Sequence, residues 1–213
     1  MLKKFLRHEK GITGLETAII LIAFVVVAAV FAYTALSAGL FATQKSQEAV
    51  YSGLKEAQST LELRGAVIAT ANTIGNNGTV KQISFTVANV LGGEAIDFTE
   101  PTADAANTGV ADNSSTNKVV INYIDQAQKV NNLYWTVTKL GNANANQLLE
   151  TNEKFQITIG EPTGTAGGNL INALSTDLTV NTKFTLEVLT PAGAILQIER
   201  TTPAYIDTIM NLR

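Results

Sequence analysis

Charged and apolar residues fall along this chain in three blocks. Lys3, Lys4, Arg7 and Lys10 crowd the first ten positions, and residues 17–44 then carry no charge at all. From Ala66 onward, short apolar runs alternate with Gly, Asn, Thr, Asp and Pro. The uncharged block is long enough to cross a bilayer, because about 20 apolar residues at about 1.5 Å each cover the hydrocarbon layer. The basic flank predicts that the N-terminal end stays in the cytoplasm and that everything after Gln44 lies outside. A secretory signal would have a short apolar run closing at a small-residue cleavage site, whereas this run continues into a patterned helix.

No proline interrupts residues 12–64, which predicts one continuous helix of about 80 Å at about 1.5 Å per residue. Residues 18–41 are apolar on every side, so that part must be surrounded by lipid or by other protein. Further along, Val50, Leu54, Ala57 and Leu61 recur at spacings of 4, 3 and 4. They make one apolar face for the C-terminal domain, for neighbouring helices, or for both. Gly65 follows as a left-handed C-cap. Small residues, Ala28 and Ala32 among them, stand three or four apart, the spacing that lets helices approach closely.

Beyond Ala66 the texture is β-rich. Runs at 80–91, 118–125, 133–140, 155–159, 183–190 and 195–201 predict strands, the first carrying the alternation Ile83, Phe85, Val87. Turn residues separate them, as at Asn77-Gly78, Gly92-Gly93, Gly141-Asn142, Gly167-Gly168 and Pro191-Ala192-Gly193. Without amphipathic helices between the strands, a parallel α/β sheet is disfavoured, and an immunoglobulin-like sandwich of roughly seven or eight strands is expected. The fold class is thus α+β, a long N-terminal helix followed by an all-β sandwich. Residues 100–117 predict an exposed loop, whose Asp104, Asp112 and Asn113 offer oxygen to a hard cation but lack calcium-loop spacing. Asn77-Gly78-Thr79 and Asn113-Ser114-Ser115 are sequons in predicted turns or loops, so Asn77 and Asn113 are candidate N-glycan acceptors.

Composition narrows the chemistry. The formal net charge is −3, and the part after Gly11 is more acidic still, so no basic footprint for nucleic acid exists there. Cysteine is absent and His8 is the sole histidine. Disulfides, thiolate nucleophiles, Ser-His-Asp catalysis and Cys- or His-based metal sites are therefore excluded. The Asp, Glu, Lys, Ser, Thr and Tyr side chains show no clustered catalytic arrangement. The expectation is a structural protein, not an enzyme, without cofactor or metal. Tyr134 and Trp135, on an alternating strand, read as core or interface residues.

The leader and helix together resemble an archaeal flagellin, or archaellin. The matching residues are Lys10-Gly11, then Ile12-Thr13-Gly14-Leu15-Glu16, the uncharged block 17–30, and 39–45; the match is dense over residues 10–64 and weak beyond. This family is similar to type IV pilins at its N-terminus. The resemblance implies a cleaved basic leader at 1–11, a helix at 12–64 that sits first in the membrane and then in the filament core, and an outer domain at 65–213. A membrane aspartic peptidase would cut after Gly11, with Lys10, Gly11, Ile12 and Gly14 forming its recognition site, and Ile12 would become the new N-terminus. The implied partners are copies of the same chain, alone or mixed with related subunits, together with the peptidase and a membrane assembly platform. The implied location is a cell-surface filament for swimming, built from a membrane precursor.

Glu16 carries two readings. In the type IV pilins the glutamate at this position pairs with the N-terminal amine of an adjacent subunit. Alternatively, Thr13-x-x-Glu16 is a capping box, with Glu in the first turn suiting the helix dipole. Ala28 and Ala32 are expected at helix–helix contacts in the assembly. An adhesion pilus subunit with the same processing, or a membrane-anchored surface protein, remains an alternative function.

Overall fold

The computed structural model describes the backbone of residues 6–58, 60–90, 93–160 and 166–212, and the side chains of these segments except 6–13 and 58. Helix α1 spans Leu6–Gln58, 53 residues. Its ends differ from the sequence expectation. It continues through Gly11 without a break, and it stops at Gln58 rather than near Arg64. Leu61, expected on the helix's apolar face, lies in strand β1 (Leu61–Leu63) and is only 4% exposed. The Thr60 hydroxyl donates to the Ala57 carbonyl at 2.8 Å, satisfying one of the acceptors orphaned at the helix end.

Gly65 does adopt a left-handed conformation, φ +88°, but it caps no helix. It turns the chain between β1 and β2 (Val67–Thr73), which pair with successive stretches of β3 (Thr79–Asn89). Between them the Arg64 N–H donates to the Thr86 carbonyl at 2.8 Å.

The chain divides into two compact units, the first ending at Ser52 and the second beginning at Gly53. The second unit continues through β4 (Ile96–Asp97), β5 (Val120–Asp125), β6 (Lys129–Val130), β7 (Trp135–Leu140), β8 (Leu148–Leu149) and β9 (Lys154–Ile159). A single turn of helix, α2 (Leu170–Ala173), then leads to β10 (Lys183–Leu189), β11 (Ile195–Thr201) and β12 (Ile209–Leu212). One sheet runs β12-β2-β3-β9-β7 with β1 also on β3, a second runs β11-β10-β5-β6, and β4 pairs with β8. Every strand pairing is antiparallel.

Phe85, Phe155 and Ile157 from the first sheet and Tyr123, Phe184 and Leu186 from the second are at most 1% exposed and belong to one core. Phe98 meets Trp135 and Phe155 edge-on, with centroids 6.0 and 5.9 Å apart, and Tyr123 stacks on Phe184. The alternation Ile83, Phe85, Val87 points inward as expected, and all three are at most 1% exposed. A register shift between Thr70 and Ala71 leaves Lys81 as the extra residue of a bulge, which turns Val80 inward as well.

Residues 100–117 do not form the simple exposed loop predicted from their polarity. Isolated bridges tie Ala103 to Ala111 and Val110 to Leu133, and Ala111 is 7% exposed. Small side chains let this segment lie against the sandwich, an arrangement its low apolar content does not advertise.

Candidate functional site

The surface that departs most from an ordinary globular protein is the wall of α1. Phe24 and Phe31 are each 71% exposed, Tyr33 74% and Leu36 73%, and the large apolar residues between Leu15 and Leu54 all lie at 50% or above. The segment Gly14–Ala57 reaches a mean hydropathy of 2.8 over its most apolar window, none of it buried within the chain. Across residues 17–44 no side carries a charge, so that part of the helix has no face fit for water.

The three threonine hydroxyls in this wall are turned back on their own backbone. Thr17 donates to the Gly14 carbonyl at 3.0 Å, Thr34 to Phe31 at 2.9 Å and Thr43 to Gly39 at 2.9 Å. Each of these three polar hydrogens is thereby satisfied inside the helix, as an apolar surrounding favours. Ala28 and Ala32 are exposed on the same wall, one helical turn apart. At Gly39 and Gly53 nothing lies within 4 Å of where a Cβ would stand, so the single chain itself does not require glycine there. Charge returns only at Lys45, whose ammonium meets Glu48 at 2.6 Å.

At the head of the helix, Gly14 and Glu16 are exposed, while the side chains of Lys10 and Ile12 lie outside the described residues, as do residues 1–5. With residues 6–12 helical, the backbone leaves no helix start for Thr13 to cap in a capping box. Because α1 already runs from Leu6, residues 13–16 are interior helix and the N–H groups such a box would cap are in the helical ladder. Such a box needs Thr13 as the N-cap and a helix that begins at Gly14.

The candidate glycan acceptors do not share a site. Asn77 is exposed in the β2–β3 turn, and the hydroxyl of its Thr79 lies 3.0 Å from that of Thr73. Asn113 is exposed in the anchored loop, where the Ser115 hydroxyl accepts from the Thr102 N–H at 2.9 Å and donates to Asn117 at 2.7 Å. The neighbouring acids are spent on local turns: Asp104 accepts from the Thr108 hydroxyl at 2.8 Å and Asp112 from the Ser114 N–H at 2.7 Å. The Ser114 hydrogen bonds hold the Asp112 carboxyl below its usual range. Among the described residues, no group of three His, Asp or Glu side chains is placed to hold a metal.

One cluster escaped the sequence reading. Asp125 closes the β5–β6 hairpin, accepting from the Tyr123 hydroxyl at 2.9 Å and from the N–H groups of Ala127 and Gln128 at 2.6 and 2.8 Å. Gln128 extends the network by donating to the Thr176 carbonyl at 2.6 Å and accepting from the Ser175 N–H at 2.9 Å. Partial burial pushes the Asp125 carboxyl up, but these hydrogen bonds outweigh it and hold it below its usual range. Burial, helped by Asp125, pushes the Tyr123 hydroxyl well above its ordinary range. The signal in the sequence was an aspartate at a strand end four residues before a second short strand, the pattern of an Asx turn. The network clamps a hairpin and presents no reacting group.

A membrane-length apolar helix leading into an antiparallel β-sandwich thus stands as the functional architecture. The archaeal-type flagellin family profile matches residues 11–200. This chain belongs to the archaeal-type flagellin family. It is 37% identical to probable flagellin 1 of Archaeoglobus fulgidus over 219 residues, covering 98% of each chain. Among solved structures it is similar to the archaeal flagellum of Methanospirillum hungatei strain JF1, with 30% identity, a TM-score of 0.58, and 93% of this chain and 98% of that one covered. It also shares the fold of flagellin FlaB1 from Methanocaldococcus jannaschii, TM-score 0.53 at 12% identity, over 72% of this chain and 96% of that one. The likeness therefore extends through the β domain of this flagellin, well past residue 64 where the sequence resemblance had thinned.

Proposed function

We propose that this flagellin is made as a membrane precursor with its N-terminus in the cytoplasm, is cut between Gly11 and Ile12, and then polymerises into the archaeal flagellum for swimming. As a structural subunit of that filament it uses α1 for assembly and carries the β-sandwich as its outer part. The observation that carries the reading is the all-round exposure of α1. An apolar helix can pass from lipid to a bundle of like helices at little hydrophobic cost, because hydrocarbon and leucine-rich protein are equally apolar solvents for it. Copies would add through heterologous contacts that do not close into a ring.

Processing fits the local chemistry. Gly11 and Gly14 each weaken the helix by about 1 kcal/mol relative to alanine. The segment around Gly11, helical in the uncut chain, is therefore the cheapest place to unwind into a peptidase cleft. Lys10 supplies the basic residue just before the cut. Cleavage would leave Ile12 first, Gly14 third and Glu16 fifth, placing Glu16 where it can cap the shortened helix or pair with a neighbour's amine. Asn77 or Asn113 would carry glycan on the exported side.

N-terminal sequencing of sheared surface filaments tests processing and location together. A start at Ile12 is expected. Recovery of the chain only from the membrane fraction with Met1 in place would overturn the reading in favour of an anchored surface protein. A deletion strain that swims normally but no longer attaches would instead assign the filament to adhesion.

A further inference from the structure

The two edges of the larger sheet are built differently. At the β7 edge the Val137 N–H, which points away from β9, is taken by the Glu100 carboxylate at 2.6 Å, and the Lys139 ammonium is held by the Ala145 carbonyl at 2.8 Å. That edge is guarded by charge and by a loop. At the β12 edge the register and the Ala71 N–H to Thr208 carbonyl bond make Met210 a hydrogen-bonded partner of Ala69. The N–H and C=O groups of Ile209 and Asn211 therefore point outward, away from β2. No lysine, proline or covering loop guards them among the described residues, although unguarded edges are what monomeric proteins avoid.

The side chains around this open edge are also apolar. Ile209 is 66% exposed, Ile74 56%, Tyr205 51% and Ile68 37%. Register places Ile209 opposite Thr70 and diagonal to Ile68, and the Gly75–Ile206 bridge carries Ile74 and Tyr205 on its flanks. The buried members of the same two strands, Val67, Ala69, Met210 and Leu212, already face the core. The strip is thus a second apolar surface on the outside of the sheet.

We propose that the β12 edge and the strip Ile68, Ile74, Tyr205 and Ile209 form a contact surface for the outer domain of a second copy of this chain in the assembled filament. The inference rests on the filament reading above and names where the outer parts touch. Charge selects the occupant. Residues 65–213 carry 13 acidic and 8 basic residues, so copies repel one another wherever charged faces approach. The strip itself holds no ionisable group other than the flanking Asp207 and the tyrosine hydroxyl, so it is where like-charged copies can meet at least electrostatic cost. A polar filament has no two-fold axes between its subunits, so the edge meets a different surface of its neighbour rather than a second β12.

The test uses whole filaments. A photo-crosslinking amino acid placed at Ile209 should join the outer domain of a second copy, identified by the crosslinked peptide. Crosslinks only to the same copy, to lipid or to another protein would overturn the proposal. In parallel, Ile209→Lys should raise the subunit concentration needed to sustain filaments about tenfold, the change one desolvated contact commonly makes, whereas Gln197→Lys, exposed on β11, should not. Protease resistance of the processed Ile209→Lys subunit should match wild type, since the side chain is on the outside. Ile209→Lys filaments as long and heat-resistant as those of Gln197→Lys would also overturn it. If the unaltered chain forms no filaments at all, it is the filament reading that fails.

Discussion

Phe31→Ala separates assembly from folding. In the isolated chain the Phe31 ring is 71% exposed and sits among the apolar residues of α1, so removing it deletes little that the folded subunit uses. In the proposed membrane precursor the ring would lie in lipid, and lipid would refill the space when it is cut back to alanine. The transfer term of the substitution therefore appears in both states and cancels. What remains, with α1 packed in the filament core as proposed, is the hole left there, where neighbours cannot flow: a cavity on the order of 100 Å3 costs about 2 kcal/mol at about 24 cal/mol per Å3. That corresponds to roughly a thirtyfold change in the assembly equilibrium.

Phe98→Ala is the contrasting substitution. Its ring is fully buried with Trp135 and Phe155, and truncation should cost the subunit about 3–5 kcal/mol of folding stability. Filament mass and length by electron microscopy, at matched amounts of processed subunit, read the first effect. Resistance of the β domain to protease on heating reads the second. Phe31→Ala should lose filaments with a normal β domain, and Phe98→Ala should lose the β domain. Filaments of wild-type length and heat resistance from Phe31→Ala would refute the reasoning, because they would mean that α1 is not packed at that ring.

Glu16→Gln keeps a capping oxygen and loses the charge, so impaired assembly at equal processing would assign Glu16 to pairing with an amine; wild-type yield would leave only the cap. Gly109→Ala should destabilise the β domain by about 2–4 kcal/mol, since φ is +77° and a Cβ would stand 2.4 Å from the Asn169 carbonyl. Gly141→Ala, with φ +68° and nothing within 4 Å, should cost only about 1 kcal/mol, and thermal denaturation distinguishes the two. Asp125→Asn should lower stability by about 1 kcal/mol near neutral pH, a modest figure because the carboxylate is partly solvated. The folded carboxyl is held below 3.8, so its contribution is present above that value and fades as pH falls through the folded one. The gap between wild type and variant should narrow as acid protonates the carboxyl, and a gap that stays constant as pH falls below the ordinary carboxylate range would sink the assignment.

Where sequence patterning failed, the missing information was non-local. Val50, Leu54 and Ala57 continue in helical spacing to Leu61, and Leu61 and Leu63 equally begin a strand alternation. The decision belongs to β3, which pairs Leu61 with Asn89 and Leu63 with Val87, partners more than twenty residues away. Strand β2 escaped because Ala69 and Ala71 face inward, where small residues give no alternation to detect. Strand β12 escaped because four residues are too few to show a period. By contrast, β11 spans residues 195–201 as its local pattern predicted, and the uncharged block 17–44 announced the exposed wall of α1. The anchoring of residues 100–117 was invisible because backbone bridges, not large side chains, hold the loop.

The physics of α1 also explains how a chain without a single cysteine can persist as an exposed filament. Each large side chain on the wall is worth about 1.5–3 kcal/mol when removed from water. Over the run from Leu15 to Leu54 such terms reach tens of kcal/mol, so a subunit leaving the filament for water faces a barrier no covalent staple is needed to raise. A subunit entering from lipid, as proposed, would meet almost none of that cost, because lipid is as apolar as its neighbours. On that reading growth at the membrane and permanence outside would be two consequences of one surface. A polar stripe on α1 would ease release into water; residues 17–44 hold no charge to make one, and Thr17, Thr34 and Thr43 donate their hydroxyls to their own backbone.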